Sequence, residues 1–265
     1  MNNLAIGLFD SGVGGLTVMK EIATLLPNED LIYLGDTARL PYGNKSSEAV
    51  SRFALDNAQF LLEKQIKLLV VSCHTACSHA LDALQKTLPI PVVGVTQSGF
   101  EGLVQSTQTK KVAVLGTAST IGSGLFQGLL SAYDPSIEVF PIACPLFVSL
   151  VEEGFLTHEA TRLIAEHYLS PLKQKNIDSV LLACTHYPLL SPVIQQVLGP
   201  TVQLIIPAQR TALETQSVLL AKNWLKSKAC LPKYQFYASD DPDKFRKLAK
   251  LFFPSSIETV HLRTI

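Results

Sequence analysis

The sequence predicts an α/β protein of two units, each built on a parallel sheet, and two patterns support this. Short apolar runs rich in β-branched residues alternate with longer amphipathic stretches, which is typical of parallel strands joined by right-handed helical crossovers. Two strand-and-turn motifs also recur in the same order, because Thr117 follows Asp10 by 107 positions and Cys184 follows Cys73 by 111. We interpret this as an internal duplication, with pseudo-twofold symmetry and the carboxyl ends of both sets of strands at a shared cleft.

Composition excludes several classes of protein. Apolar residues make up 47% of the 265 positions and charged residues 17%, which favours a packed core over disorder. Lys+Arg and Asp+Glu both number 22, so no basic excess indicates nucleic acid or an anionic membrane as partner. The sequence shows no signal peptide and no apolar run of the ~18 residues that a membrane span needs.

Cysteine usage indicates a reducing compartment. The cysteines are odd in number and widely spread, which favours thiols over a disulfide framework, and they lie at Cys73, Cys77, Cys144, Cys184 and Cys230. We therefore expect a cytoplasmic protein.

The first unit is predicted from four strands and two clear helices. Apolar runs place the strands at residues 6–9, 31–36, 68–71 and 90–95. Helical spacing of apolar residues predicts helices at 16–26 and 47–64, the second capped by Ser46 or Ser47.

The second unit repeats this plan after a polar break at residues 105–111. Its strands are predicted at 112–115, 138–144, 180–183 and 202–206, and its main helix at 157–174, with Thr157 as cap. A helix at 212–226 returns to the first unit, followed by short strands at 235–238 and 259–262 around a helix at 243–251. We expect residues 1–97 with 208–265 to form one domain and residues 98–207 the other.

The glycine-rich turn after the first strand, Asp10-Ser11-Gly12-Val13-Gly14-Gly15, does not match a dinucleotide fingerprint. Gly12 and Gly14 would need a third glycine at position 17, where Thr17 stands. Two interpretations stay open, a structural turn or a loop whose backbone amides approach a small anion.

The two matched strand ends carry the chemistry that the sequence indicates. Cys73 and Cys184 each follow a buried apolar run, and ligands of open α/β sheets bind at the carboxyl ends of strands. A helix N-terminus after such a cysteine lowers its thiol pKa. One thiolate acting as base and one thiol acting as acid, on opposite faces of a carbon, would invert a stereocentre.

Other interpretations of these cysteines are weaker. A lone cysteine in such a turn is most often a buried structural thiol, but two at matched positions favour function. Cys73 and Cys77 share one helical face, yet no four-ligand metal set is visible. A Cys-His hydrolase built on Cys184 and His186 lacks an orienting residue and leaves Cys73 without a role.

Four stretches of the chain resemble the glutamate racemases: residues 6–18, Asp36 with 39–45, 144–154, and 183–190, of which the last is the most specific. The match runs in order from about residue 4 to 215. The resemblance implies two flavodoxin-like domains with the active site in the cleft between them. It also implies cofactor-independent interconversion of L- and D-glutamate, supplying D-glutamate for peptidoglycan.

The resemblance also implies residue roles. Cys73 and Cys184 correspond to the acid/base thiols, Asp10 and His186 to groups that assist them, and Asp36 and Glu152 to further carboxylates of the site. The positions that correspond to substrate contacts are Asp10, Ser11, Pro41, Tyr42, Gly43, His74, Thr75, Thr185 and His186. We expect no metal or cofactor, a small-molecule substrate, no nucleic-acid or membrane partner, and a homodimer.

The chain departs from the family pattern at a few positions. His74 stands where the family has asparagine, Gln97-Ser98 where it has Glu-Pro, Ser149 where it has proline, and Ile206-Pro207 where an aspartate precedes a small residue. His74 adjoins the predicted substrate contacts, so substrate identity stays open. The alternatives are a racemase of another acidic amino acid or larger amino-dicarboxylate, or a low-activity glutamate-binding regulatory homologue.

Overall fold

The structure is a computed structural model that describes residues 1–227, 231–253 and 257–264. The strands are β1 (Ala5–Asp10), β2 (Leu31–Gly35), β3 (Ile66–Val71), β4 (Val92–Gly94), β5 (Lys111–Gly116), β6 (Glu138–Ala143), β7 (Ser179–Ala183), β8 (Gln203–Ile205), β9 (Tyr234–Ala238) and β10 (His261–Leu262). The α-helices are α1 (Leu16–Leu25), α2 (Ser47–Glu63), α3 (His74–Thr87), α4 (Val95–Ser106), α5 (Ala118–Gly122), α6 (Leu125–Tyr133), α7 (Leu146–Glu152), α8 (Glu159–Leu169), α9 (Ser191–Leu198), α10 (Ala208–Ala221) and α11 (Pro242–Ala249).

The chain divides into two compact units. The first contains Met1–Val95 with Ala208–Ile265, and the second contains Thr96–Pro207. The first unit therefore consists of two separate chain segments. The predicted division at 97/98 and 207/208 lies within two residues of this one.

Both sheets are entirely parallel, which confirms the predicted fold class. The first sheet has the order β10-β9-β2-β1-β3-β4 and the second has the order β6-β5-β7-β8. The order β2-β1-β3-β4 is thus repeated as β6-β5-β7-β8, as an internal duplication predicts. The first unit adds β9 and β10 beside β2. These strands come from its second chain segment, Ala208–Ile265, which we call the C-terminal segment.

The central strands are buried on both faces, which explains their unbroken apolar sequences. β1, β2, β3 and β7 are buried over their whole lengths. The second unit packs a core from strands β5, β7 and β8 with helices α4 and α6, formed by Leu103, Val112, Val114, Phe126, Leu130, Ile137, Leu181, Ala183 and Ile205.

Some local predictions were wrong. Helix α8 begins after His158, whose ring nitrogen Nδ1 accepts from the amide of Ala160 at 3.1 Å, so His158 rather than Thr157 caps it. The helix ends at Leu169, and Pro171 follows in a 3₁₀ turn. A proline has no N–H to continue the helical hydrogen bonds, and its ring clashes with the carbonyl four residues before it.

The glycine-rich turn of the second unit also differs from its counterpart in the first. It contains the short helix α5, capped by the hydroxyl of Thr117. The helix predicted at 212–226 is α10, which begins four residues earlier, at Ala208, and ends at Ala221. Across the described ranges, no helix has the length and apolar character needed to cross a membrane. Cys230 lies outside the described residues.

Candidate active site

The first strand-end site forms at the adjacent carboxyl ends of β1 and β3. Phe9 pairs with Val71 in the sheet, and the amide of Ser72 donates to the carbonyl of Phe9 at 3.0 Å. This register brings Cys73, the residue at the N-cap of α3, next to the residues that end β1. The Sγ of Cys73 lies 3.9 Å from the hydroxyl of Ser11. Parallel pairing therefore brings together residues that are more than 60 positions apart in the sequence.

Asp10 is oriented at this strand end by backbone contacts. Its carboxylate oxygen Oδ1 accepts from the amide of Ser11 at 2.7 Å, and its side chain is almost fully buried. The amide of Asp36 donates to the carbonyl of Asp10 at 3.0 Å. A buried carboxylate beside a thiol can accept a cationic group or a proton from a ligand.

Tyr33 is hydrogen-bonded to the glycine-rich turn. Its hydroxyl donates to the carbonyl of Gly12 at 2.7 Å. Burial raises its pKa well above the usual value, and the negative charges of Asp10 and Cys73 raise it further. Tyr33 therefore stays a neutral hydrogen-bond donor to the turn.

Asp36 lies directly after β2 and is completely buried. Its oxygen Oδ2 accepts from Nε of Arg39 at 2.7 Å and from the hydroxyl of Tyr42. Its other oxygen accepts from the hydroxyl of Ser239 at 2.8 Å. Both oxygens of Asp36 thus accept from protein donors, and Arg39 and Tyr42 among them belong to the following loop.

The loop at 37–45 holds the predicted substrate contacts Pro41, Tyr42 and Gly43. Pro41 is exposed, whereas Tyr42 is buried and packs its ring 5.6 Å from that of Phe53. The 3₁₀ turn Tyr42–Asn44 contacts helix α3, which carries His74. Burial and the neighbouring Asp36 raise the pKa of Tyr42, so its hydroxyl stays protonated.

His74 and Thr75 are the first two residues of α3, and both are buried. Burial lowers the pKa of His74 to about 3. The imidazole is therefore neutral at physiological pH. It can offer one donor and one acceptor nitrogen, as a primary amide can offer both kinds of atom, but on a larger ring.

The second strand-end site forms after β7, where Cys184, Thr185 and His186 are all buried. The ring nitrogen Nε2 of His186 lies 3.0 Å from Oε1 of Glu152, the last residue of α7. His186 also hydrogen-bonds Cys184. Glu152, His186 and Cys184 thus form a continuous line of hydrogen bonds.

His186 carries a proton at physiological pH. Burial on its own would lower its pKa, but the hydrogen bonds and charges of Cys184 and Glu152 outweigh burial and raise the pKa to about 10. The buried imidazolium can donate to a thiolate on one side while a carboxylate holds its other side. This is the arrangement expected of a group that assists proton transfer at Cys184.

The two thiols have different surroundings, which the duplication did not predict. Cys73 begins the long helix α3, whose N-terminal amides favour negative charge. Cys184 is followed by the 3₁₀ turn Tyr187–Leu190, and α9 begins only at Ser191. Its neighbouring positive group is the His186 ring instead.

The other described cysteines serve packing. Cys77 is buried and its thiol donates to the carbonyl of Val71 at 3.3 Å. The carbonyl of Cys144 accepts from the hydroxyl of Tyr187 at 2.8 Å, and burial raises the pKa of the Cys144 thiol far above its usual value. Within the described residues, no three His, Cys, Asp or Glu side chains are grouped to hold a metal ion.

Sequence patterns did not point to four polar residues that support the first strand-end site: Tyr33, Asn57, Ser239 and Arg263. Asn57 had a signal, since it lies on the buried face of α2 between Ala54 and Leu61. A polar residue in an apolar stripe indicates a specific hydrogen-bond partner. The contacts of Ser239 and Arg263 span about 200 positions of sequence and left no local signal.

The fold and these strand-end residues agree with one family of isomerases. The model of the Asp/Glu/Hydantoin racemase family matches residues 6–215. The chain therefore belongs to this family and is an amino-acid racemase.

Individual relatives are glutamate racemases. The chain is 43% identical to the glutamate racemase of Chlorobaculum tepidum over 97% of its own length and 95% of that protein. It is 45% identical to that of Geobacter metallireducens, with the same coverage. The crystal structure of glutamate racemase from Francisella tularensis in complex with D-glutamate superposes with a TM-score of 0.94 at 36% identity, covering 100% of this chain and 98% of that one.

Proposed function

We propose that this protein interconverts L- and D-glutamate without a cofactor, using Cys73 and Cys184 as the two acid/base groups. The observation that carries the proposal is the matched position of these buried thiols at the carboxyl ends of the central strands β3 and β7. The hydroxyl of Ser11 lies 3.9 Å from Sγ of Cys73 and 3.4 Å from Oδ1 of Asp10, and His186 hydrogen-bonds Cys184. The glutamate racemases that the chain resembles support glutamate as the substrate.

In the proposed reaction, a thiolate removes the α-proton from one face of glutamate and becomes a thiol. The electron pair stays on the α-carbon until the opposite thiol delivers its own proton to the other face and becomes a thiolate. Atoms and charge balance, and the reverse reaction exchanges the two roles. The proposal requires both thiols to address the same α-carbon.

The surroundings of the thiols suit these steps. His186, held by Glu152, can give or take a proton at Cys184, and Asp10 can do so near Cys73 or accept the substrate ammonium group. Hydroxyls and backbone amides suit the carboxylates of the substrate, and we assign this role to Ser11, Tyr42, Gly43, Thr75 and Thr185. Pro41, which has no N–H, and the neutral ring of His74 are assigned to line the same substrate.

Exchange of the α-proton tests the proposal. The protein is incubated with L-glutamate and, separately, with D-glutamate in D2O, and the α-proton NMR signal and optical rotation are followed. We expect deuterium to enter the α-position as rotation decays to zero from either enantiomer. Cys73→Ala and Cys184→Ala should each lower the racemisation rate by about 10³-fold or more, since general acid/base groups contribute on that order.

Cys77→Ala is the matched control, because its buried thiol lies one helical turn beyond Cys73 and donates to the carbonyl of Val71. It should keep most of the activity. Full racemisation by either of the other two variants would contradict the two-thiol mechanism. Glutamate binding without exchange would favour a regulatory protein, and exchange only with another acidic amino acid would change the substrate.

We further propose that the product D-glutamate supplies peptidoglycan synthesis in the cytoplasm and that the protein acts as a homodimer. Deleting the gene should make growth depend on added D-glutamate. Light scattering after gel filtration should give twice the chain mass of 28.8 kDa. A monomeric mass at assay concentration would contradict the dimer alone.

A further inference from the structure

The C-terminal segment reaches the predicted substrate loop through two polar side chains of the first unit. Strand β9 leads into Ser239, and β10 leads into Arg263. The amide of Ser239 donates to the carbonyl of Gly35, and that of Arg263 donates to the carbonyl of Ala238, at 3.1 and 2.8 Å. These backbone hydrogen bonds thus fix the Cα positions of Ser239 and Arg263.

Ser239 ties the start of the loop to Asp36. Its hydroxyl donates to Oδ1 of Asp36 at 2.8 Å and accepts from the amide of Ala38 at 2.9 Å. The next residue, Asp240, exchanges two hydrogen bonds with Thr37, whose hydroxyl donates to its carbonyl at 2.6 Å and accepts from its amide at 2.8 Å. The loop therefore leaves β2 along a path set by the C-terminal segment.

Arg263 and Arg39 together set the orientation of the Asn57 amide. One guanidinium nitrogen of Arg263 donates to Oδ1 of Asn57, and the other donates to the carbonyl of Asp56 at 2.9 Å. Arg39 donates to the same Oδ1 at 3.0 Å. With two cationic donors on its oxygen, the amide must turn its Nδ2 group the other way.

That Nδ2 group directs the hydroxyl of Tyr42. It donates to the Tyr42 oxygen at 3.0 Å, so the tyrosine gives its own proton to Asp36. Each group thus donates to the next one, since Arg263 donates to Asn57, Asn57 donates to Tyr42 and Tyr42 donates to Asp36. Ser239 completes the other side of the same carboxylate.

We propose that Ser239 and Arg263 are positioning residues of the racemase, which hold Tyr42 and Gly43 in the geometry that binds the substrate carboxylate. The inference rests on the proposed function for the ligand of the loop, but the hydrogen bonds that it invokes lie within one unit. It gives the C-terminal segment, for which the sequence suggested no role, a part in substrate affinity.

Steady-state kinetics of Arg263→Gln and Ser239→Ala test this proposal. Loosening a substrate loop removes binding that is made before the chemical step, so KM for glutamate should rise by about tenfold with little change in kcat. Arg246→Gln is the matched control, since Arg246 lies in the same segment and pairs on the surface with Asp243 at 2.9 Å. It should leave both constants unchanged.

A double-mutant cycle separates positioning from general stability. If Arg263 acts through Tyr42, then Arg263→Gln should add little further loss in a Tyr42→Phe background. A merely structural role would lower the melting temperature and the active fraction while KM stays the same. It would also give the same loss in both backgrounds, and either result would overturn the proposal.

Amide hydrogen exchange tests the positioning role of Ser239 and Arg263 without measuring turnover. The amides of Ala38, Arg39 and Lys45 are hydrogen-bonded in or next to this loop. We expect them to exchange several-fold faster in Ser239→Ala and Arg263→Gln than in the wild type or Arg246→Gln. Unchanged exchange would refute the positioning role, whereas a wild type that does not racemise glutamate would refute only the proposed function.

Discussion

At the scale of single residues, the two histidines that follow the thiols differ in charge, since the ring of His74 is neutral and that of His186 is positively charged. His74 and His186 are both buried, yet burial lowers the pKa of the first to about 3, while hydrogen bonds to Cys184 and Glu152 raise that of the second to about 10. Neither should change charge between pH 5 and 8. The charge pattern of the site is therefore set by packing and by neighbours rather than by residue type.

The low pKa of His74 has a consequence for acid stability. A histidine whose pKa falls on folding binds its proton more readily in the unfolded chain. Its contribution to stability is therefore complete above about pH 6.5 and is lost as pH falls toward 3. His186 has the opposite sign, since its contribution is complete below about pH 6.5 and is lost as pH rises through 10.

We predict that His74→Asn makes the protein less sensitive to acid. Between pH 7 and pH 4.5, the wild type should lose roughly 2–3 kcal/mol more unfolding free energy than the variant, because asparagine has no proton to bind. Urea unfolding at the two pH values measures this. His167→Asn, at an exposed position of α8, should keep the acid sensitivity of the wild type.

The same variant tests the departure from the family pattern. If the neutral imidazole only replaces an amide, His74→Asn should preserve or raise glutamate turnover. A large loss would show that the ring has a role of its own in recognising the ligand. An equal acid loss in His74→Asn and the wild type would contradict burial of a neutral ring.

At the scale of elements, the glycine-rich turn fits its place because Gly15 leaves no room for a side chain. A Cβ at Gly15 would come within 2.8 Å of the Cβ atoms of Asp10 and Ser72, and within 2.9 Å of the Tyr33 hydroxyl. The backbone φ angle of Gly15 is −63°, so space rather than conformation requires the glycine. The three crowded groups all belong to the first strand-end site or to the residues that support it.

We predict that Gly15→Ala displaces Asp10 and lowers both stability and activity. Overpacking of this kind costs about 1–3 kcal/mol, and kcat for glutamate should fall because the carboxylate moves relative to Cys73. Gly128→Ala is the control, since a Cβ in that exposed position of α6 meets nothing within 4 Å. It should raise stability by about 0.5–1 kcal/mol through helix propensity. Thermal unfolding and steady-state kinetics of both variants measure these effects.

Elements were predictable from sequence where a local pattern sets them. The apolar runs before Cys73 and Cys184 identified β3 and β7, and the alternation of strands and helices gave the parallel fold. Local predictions were wrong where side chains compete for one position, as when His158 rather than Thr157 caps α8. The positioning contacts of Ser239 were out of reach, because they depend on how distant strands pair.

At the scale of the whole molecule, the first unit must join two distant chain segments, and a buried ion pair lies where they meet. Lys67, in β3, is fully buried and pairs with Glu29 at 2.5 Å. Its ammonium also donates to the carbonyls of Asn2 and Trp224, at 3.2 and 2.8 Å. The other oxygen of Glu29 accepts from the amide of Lys226 at 2.7 Å.

This cluster lies at the amino ends of the strands, away from the first strand-end site at their carboxyl ends. Both charges are satisfied by direct partners, as burial demands. Lys67 and Glu29 thereby connect the N-terminus, the turn before β2 and the stretch of the C-terminal segment that follows α10. The segment that carries Ser239 and Arg263 is thus held in place just after α10 as well as along β9.

We predict that Lys67→Met destabilises the first unit by about 3–5 kcal/mol, since it leaves the Glu29 carboxylate buried without its cation. Adding Glu29→Leu should recover most of that loss, because an apolar pair of similar volume is often as stable as a buried ion pair. Lys86→Met, which breaks the exposed Lys86–Asp82 pair, should cost less than about 1 kcal/mol.

Urea unfolding followed by tryptophan fluorescence measures these differences in the right unit. The chain has one tryptophan, and Trp224 lies in the cluster itself, so its emission reports the unfolding of the first unit. If Lys67→Met and the double variant lose the same free energy, then the cost comes from packing rather than from an uncompensated charge. A loss in Lys67→Met no larger than that in Lys86→Met would show that the ion pair does not anchor the C-terminal segment.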